Sequence, residues 1–242
     1  MALKKHVATL AVLLITTSSF AQITSGKIVF ERKTNVKKLF KDNERVKPFL
    51  PEDLTWKLDS FALYFNDSAS AFLPIESGEQ EDGMMKMLTT RNTVYKNYAR
   101  DEKIAVLSMW GTETYVKDSI KPRAWKVTES KRNIAGYTCR KAMLNLDDTT
   151  RIYAWFAVDL VPSIGPEGFD GLPGAILGLA NEEGSIVYFA KRVSITQPTK
   201  ENLFVSLKGK DTYTEEQLKA TLLEKMGQWV KKEDLDGMFS WL

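Results

Sequence analysis

The sequence predicts a mainly β protein: one antiparallel sheet, curved or rolled into an open barrel, with an amphipathic helix near its C-terminus. Three observations predict it. Short runs rich in β-branched and aromatic residues succeed one another with only turn or charged residues between them, the spacing of hairpins and not of βαβ units. Apolar residues recur at helical spacing only near the end of the chain. The 242 residues hold no internal repeat, low-complexity tract or linker, so a single core suffices for the length.

The first strand is "GKIVFERK", Gly26 to Lys33, followed further on by "FALYFN" and "SAFLPI". Between them "NVKKLFKDNERVKPFLPEDL" forms a loop insertion holding a brief helix, broken where Pro48 and Pro51 forbid its continuation. "ESGEQEDGMMKM" is acidic and bears glycine, an exposed connection. From Thr93 the strands "TVYKNYAR", "KIAVLSMWG", "ETYVKD", "RAWKVTES", "AGYTCRKAML" and "TRIYAWFAV" follow closely. "AILGLANEEGSIVYFAKRVSI" is a hairpin turning at Asn181 to Gly184. Thr214 with Gln217 makes a capping box, and Leu218, Leu222, Met226 and Trp229 fall on one helical face.

The N-terminus predicts export. "MALKK" supplies a positive start, "VATLAVLLITT" an apolar core too short for a stop-transfer helix, and Ser19-Phe20-Ala21 a small-x-small cleavage site. Residues 1–21 are thus expected to be a signal peptide and residues 22–242 a single β-rich domain, periplasmic or secreted, soluble, not membrane-spanning, and without the cysteine that a lipoprotein anchor needs. Loss of Lys4 and Lys5, with no acid before Ala21, takes the formal charge from +3 to +1. Lysines and arginines are scattered among acids, which argues against nucleic acid.

Histidine and cysteine exclude more. His6 is the only histidine and lies in the signal segment, so Ser-His-Asp and Cys-His catalysis and His-ligated zinc or copper are excluded from the mature chain. Cys139 is the only cysteine, and no internal disulfide can form. No cofactor is expected.

One stretch stands out. "DLVPSIGPEGFDGLPGAILGL", Asp159 to Leu179, sets five glycines and three prolines among residues otherwise ready for burial. Glycine permits positive φ and proline fixes φ while deleting a donor, so the mixture specifies one particular path.

Together with "WKVTESKRNIAGYTCRKAML", this stretch carries a family resemblance. The segment "GLPGAI" at Gly171–Ile176, the Ile-x-Gly-Tyr-x-Cys-x-Lys-Ala run from Ile134 to Ala142, the Ala154-Trp155 pair, and Gly165-Pro166 ahead of Gly171 occur in order. The chain resembles the GLPGLI family of exported Bacteroidetes proteins from Trp125 to Val187, with Ala175 where the family name has leucine. The resemblance implies an exported β-rich envelope protein, in bacteria rich in TonB-dependent outer-membrane receptors, from a family without an established function. It supplies no catalytic residues.

Several positions carry alternative readings. The Gly/Pro loop either presents backbone N–H groups to a ligand, or is a compact cover whose Phe169, Leu172 and Ile176 plug the core. Trp155, with Phe169, Gly171, Leu172, Pro173 and Gly174, forms the candidate ligand site, Trp155 acting as a stacking platform or as core. Cys139 is a buried inert thiol, since Arg140 next to it points to the other face of a strand, or else an intermolecular or redox thiol. Met84, Met85 and Met87 suit soft-metal ligation or gap filling. The carboxylates Asp147, Asp148, Asp159, Glu167, Asp170, Glu182 and Glu183 are solvated turn residues, or two of them, Asp159 and Asp170 first, serve a hydrolase. The expected function is a non-enzymatic envelope binding or accessory module for an apolar or peptide ligand or a TonB-dependent receptor, the alternative being a carboxylate-dependent hydrolase.

Overall fold

The alternation in "GKIVFERKTN" sets the sheet. In β1 (Gly26–Asn35) Ile28 and Phe30 are buried on one face with Arg32 and Thr34 in phase behind them. In the computed structural model, which describes residues 23–41, 43–44, 47–76, 89–109, 111–146, 150–228 and 231–242, this strand lies near the middle of a single sheet. The other strands are β2 (Trp56–Phe65), β3 (Ala69–Ile75), β4 (Thr93–Asn97), β5 (Glu102–Met109), β6 (Thr112–Asp118), β7 (Lys126–Ile134), β8 (Tyr137–Asn145), β9 (Arg151–Ala157), β10 (Ala175–Asn181), β11 (Ile186–Ser194) and β12 (Thr212–Tyr213). Four α-helices accompany them among the described residues: α1 (Val36–Leu39), α2 (Lys200–Leu203), α3 (Glu215–Met226) and α4 (Lys232–Ser240). No helix among these residues is long and apolar enough to cross a membrane.

The sheet order is β12-β6-β5-β4-β3-β2-β1-β11-β10-β9-β8-β7, antiparallel throughout except for the short parallel pair of β12 with β6. Two meanders, β1–β6 and β7–β11, are joined by the pairing of β1 with β11. This order forces curvature. β6 and β7 stand ten strand spacings apart, roughly 48 Å in a flat sheet. The chain between Asp118 and Lys126 can span at most about 28 Å. The sheet therefore rolls until its ends approach, yet β6 and β7 do not pair, and the result is an open barrel and not a closed one.

The C-terminal region contains two helices where the periodicity predicts one. The predicted capping box opens α3: Thr214 accepts from the Gln217 N–H, Gln217 accepts from the Thr214 N–H, and Leu218 and Leu222 are buried. The second helix, α4, buries Leu235 and Phe239. Trp229, the signal sequence and Met84, Met85 and Met87 lie outside the described residues, as do Asp147 and Asp148.

The inner face of the barrel is filled by the chain itself. Phe30, Phe61 and Phe72 cluster there, Phe61 and Phe72 stacked at 4.8 Å, with Tyr188 packed on both. Phe169, Leu172 and Ile176 from the Gly/Pro loop are buried in the same core, as the compact-cover reading expects.

Candidate functional site

Charged side chains occur in phase with the buried stripe of four strands, and each needs a partner because an isolated buried charge is costly. Arg32 on β1 is 4% exposed and lies directly across from Asp59 on β2. Its Nη2 donates to Asp59 Oδ2 at 2.7 Å, and its Nη1 donates to the Thr90 carbonyl at 2.7 Å and the Tyr188 hydroxyl at 3.3 Å. Lys57 Nζ donates to the other Asp59 oxygen at 2.9 Å and to Thr89 Oγ1 at 2.8 Å. Burial pushes the Asp59 carboxyl up, but the Arg32 guanidinium and Lys57 outweigh it and leave it below the usual carboxylate range.

The Gly/Pro loop supplies the remaining acids. Glu167, in a left-handed conformation at φ 52°, accepts a hydrogen bond from the Tyr188 hydroxyl and approaches Arg32 Nη1 at 3.5 Å. Its burial raises the carboxyl above its ordinary value despite Arg32, and its Oε2 has no hydrogen-bond partner among the described residues. Asp170 receives Lys96 Nζ at 2.6 Å, and the same ammonium donates to the Gly168 carbonyl. The Gly/Pro loop is thus pinned to the inner face at two points, one on β1/β11 and one on β4.

A third cluster lies beside this anchor. Lys96 on β4 pairs across the strands with Lys103 on β5, two like charges facing each other, and Asp170 answers only the first. Lys103 is 4% exposed, and its Nζ donates to the Leu242 main-chain oxygen at 3.0 Å. Arg123, half-buried, donates to the Ser240 and Leu242 oxygens at 3.3 Å each and lies over the Phe169 ring at 4.1 Å. Trp125 Nε1 donates to the Asp170 carbonyl at 2.6 Å. These groups border a cavity of about 290 Å³ between β5, the β6–β7 connection, the end of β8 and α4, with Lys121 and Glu215 at its rim and Leu144, Leu146 and Phe239 in its wall.

Burial, and then Lys96, push the Lys103 ammonium down to about 8. Between about pH 8 and the ordinary lysine value of 10.5 the folded chain binds fewer protons at Lys103 than the unfolded chain, so stability rises with pH across that window. Lys103→Met is expected to flatten this rise in denaturant titrations run from pH 7.5 to 10; an unchanged slope would show that Lys103 is not held desolvated.

Trp155 lies elsewhere. It pairs with Gly178, which pairs with Phe189, and this places it on the outer face, opposite Tyr188 and the Gly/Pro loop. The Arg132 guanidinium lies 4.8 Å from its ring centroid, and Lys141 5.7 Å. The structure therefore does not join Trp155 to Phe169 in one pocket. Phe169 and Leu172 point into the core, while Gly171 and Pro173 are exposed at the loop surface and Gly174 is buried. Of the predicted carboxylate pair, Asp159 is exposed and Asp170 is bound to Lys96. Glu182 and Glu183 are exposed, Glu182 paired with Arg151 and Glu183 with Lys41. Cys139 is fully buried, and burial pushes its thiol up to about 11, which suits an inert side chain.

Sequence reasoning named Glu167 and Asp170 but missed Arg32, Lys57, Asp59, Tyr188, Lys96, Lys103 and Arg123. For the strand residues the signal was present: Arg32 shares parity with Ile28 and Phe30, Lys57 and Asp59 with Phe61 and Leu63, Lys103 with Ala105 and Leu107.

No protein-family model matches the chain, and no curated protein does. Among solved structures, PNGF-II in its C2 crystal form is similar with a TM-score of 0.55 and 15% identity, over 86% of this chain and 34% of that one. The P21 form gives 0.51 and 15% over 79% and 31%. The chain spans about a third of the length of these structures, and at such identity the likeness is one of β-rich fold alone. A looser likeness, TM-score 0.41 at 9% identity over 78% of this chain and 91% of the other, is to an uncharacterized conserved protein from Thermus thermophilus.

Proposed function

We propose that the chain is an exported GLPGLI-type envelope protein acting as a non-enzymatic binding module for a peptide ligand, in the service of an outer-membrane receptor of the TonB-dependent kind. The observation that carries this reading is the basic cavity beside the pinned Gly/Pro loop, where Lys96, Lys103, Lys121 and Arg123 gather around a volume of about 290 Å³. That volume sits at the lower edge of small-ligand sites, roughly 300 Å³ and upward, and accommodates a terminal group better than a lipid chain. The apolar side chains that a lipid carrier would devote to its cargo, Phe169, Leu172 and Ile176, are instead buried against the chain's own core.

Among the described residues no pair of carboxylates is placed for hydrolysis at an open site. Asp59 and Glu167 have the opposed proton affinities that an acid–base pair uses, but both are under 5% exposed and serve the Arg32 cluster. The test is native mass spectrometry of the protein with a defined mixture of short peptides. Retention of intact peptides is expected, unaffected by Trp155→Ala on the outer face. Peptide cleavage that disappears in folded Asp170→Asn would replace this reading with the hydrolase, and failure to retain any peptide would remove it.

A further inference from the structure

The outer face of the sheet carries more positive charge than its acids answer. The strand registers place Lys141, Trp155, Phe189 and Glu31 in one row across it, and Lys126, Tyr153, Val187, Lys33 and Leu58 in the next. Lys27 shares the outward parity of Lys33 on β1, Arg192 pairs with the outward Val29, and Arg132 reaches the Trp155 ring from β7. The acids of this face are already engaged, Glu31 by Lys191 at 3.8 Å and Glu182 by Arg151 at 2.8 Å. Glu129, in the bulge of β7, and Asp159, past the end of β9, stand only at its margin. Among the described residues Lys27, Lys33, Lys126, Arg132, Lys141 and Arg192 have no carboxylate within ion-pair distance, and no main-chain oxygen accepts from their side chains in its place.

Three of these cations rest on aromatic rings instead. Lys27 Nζ lies 4.9 Å from the Tyr64 centroid, the Arg132 guanidinium 4.8 Å from that of Trp155, and Lys141 Nζ 4.0 Å from that of Tyr153. Their stems cover apolar surface while the charged heads stay at the water boundary. At one end of the same face Trp56 and Leu58 on β2 are 49% and 55% exposed. Leu39, also exposed, follows on α1, which packs on the ends of β1 and β2 and adds the exposed Lys37 and Lys38.

This distribution selects among partners. A second copy of the chain would set cations against cations. A small anion reaches only a few of them, because from β2 to β7 the face crosses six strand spacings, roughly 29 Å. An extended anionic surface meets them all, and exposed tryptophan and leucine beside lysine suit the headgroup layer of a bilayer. We propose that the outer face from β2 to β7 docks peripherally on an anionic phospholipid bilayer, its six unpaired cations facing lipid phosphates and Leu39, Trp56 and Leu58 entering the headgroup layer. The face shares no residue with the cavity of the peptide reading, so peptide retention and membrane docking stand or fall separately.

The test is sedimentation of the exported protein, its N-terminus verified by mass spectrometry so that no signal segment remains, with vesicles of phosphatidylcholine alone and of phosphatidylcholine with an equal part of phosphatidylglycerol. Binding is expected to the anionic vesicles only, at about 0.1 M salt, with release at about 1 M, where the Debye length has fallen to about 3 Å. The combined variant Lys33→Gln, Lys126→Gln, Arg192→Gln changes exposed side chains and is expected to bind at least about tenfold more weakly. Lys225→Gln, Lys231→Gln, Lys232→Gln removes as much charge from α3 and the start of α4 and is expected to bind as the wild type does. Trp56→Ala is expected to weaken vesicle binding about threefold or more. Equal sedimentation with both vesicles, or equal losses in the two lysine variants, would overturn the docking face. Binding that ignores Trp56→Ala and is fully displaced by polygalacturonate would give the face to a soluble acidic polysaccharide in place of the bilayer.

Discussion

Gly174→Ala is expected to destabilise the protein by roughly 2–6 kcal/mol, a large part of the stability of an ordinary domain. Gly174 has φ +143°, a conformation L residues rarely adopt, and an added Cβ would lie 2.1 Å from the Ala157 carbonyl oxygen and 2.8 Å from its carbon. Both atoms are backbone, part of the β9 end that pairs with Ala175, so relief requires the loop and the sheet edge to separate. Backbone strain of about 1–3 kcal/mol and overpacking of about 1–3 kcal/mol then add. Gly171 offers the contrast: φ is +88°, but the nearest atoms to its Cβ, Arg123 O and Trp125 Cδ1, stand at 3.5 Å. Gly171→Ala should lose only the strain, about 1–2 kcal/mol. Urea unfolding of the two variants measures the difference, and equal losses would mean that the Ala157 contact does not hold the loop.

The sequence-based reading captured the β-rich class, the hairpin at Asn181–Gly184, the capping box of α3 and the possibility that Phe169, Leu172 and Ile176 form a plug, because each depends on residues close together in the chain. It could not place Trp155. Both alternate sets of "RIYAWFAV" are largely apolar, and only the register of β9 on β10 shows that Ile152, Ala154 and Phe156 face inward with Trp155 opposite. The charged clusters were harder still. Arg32 in phase with Ile28 and Phe30 is visible in "GKIVFERK", but its match to Asp59 depends on the β1–β2 register and its match to Glu167 on the path of a loop more than a hundred residues away. The second C-terminal helix begins at Lys231-Lys232, and its spacing of Leu235, Phe239 and Leu242 is too short a series to separate from a loop by periodicity alone.

Arg32→Leu is expected to cost about 3–5 kcal/mol near neutral pH, the penalty of leaving buried partners without their counter-charge. The guanidinium donates to Asp59, Thr90 and Tyr188, borders Glu167, and lies 4.9 Å from the Phe61 ring centroid. Leucine keeps some of the packing and removes every donor. Lys57 and Thr89 still answer Asp59, but Glu167 loses the only cation near it among the described residues, and its link from the loop to β1 is gone. The dependence on pH separates charge from packing. Asp59 is held below its ordinary 3.8 in the wild type, so its contribution to stability is present above about pH 4 and is lost as the pH falls through the folded value. With Arg32 absent that contribution shrinks, and protonation of both acids relieves the variant. The gap between wild type and Arg32→Leu should therefore be widest above pH 5 and narrow towards pH 3. A gap constant over that range would assign Arg32 to packing on Phe61. A double variant, Arg32→Leu with Glu167→Gln, is expected to recover part of the loss, because it neutralises the acid that the single variant strands while Asp59 keeps Lys57. Should the double variant prove less stable than Arg32→Leu alone, Glu167 would be stabilising in its own right, and the Gly/Pro loop would be anchored through Tyr188 without Arg32.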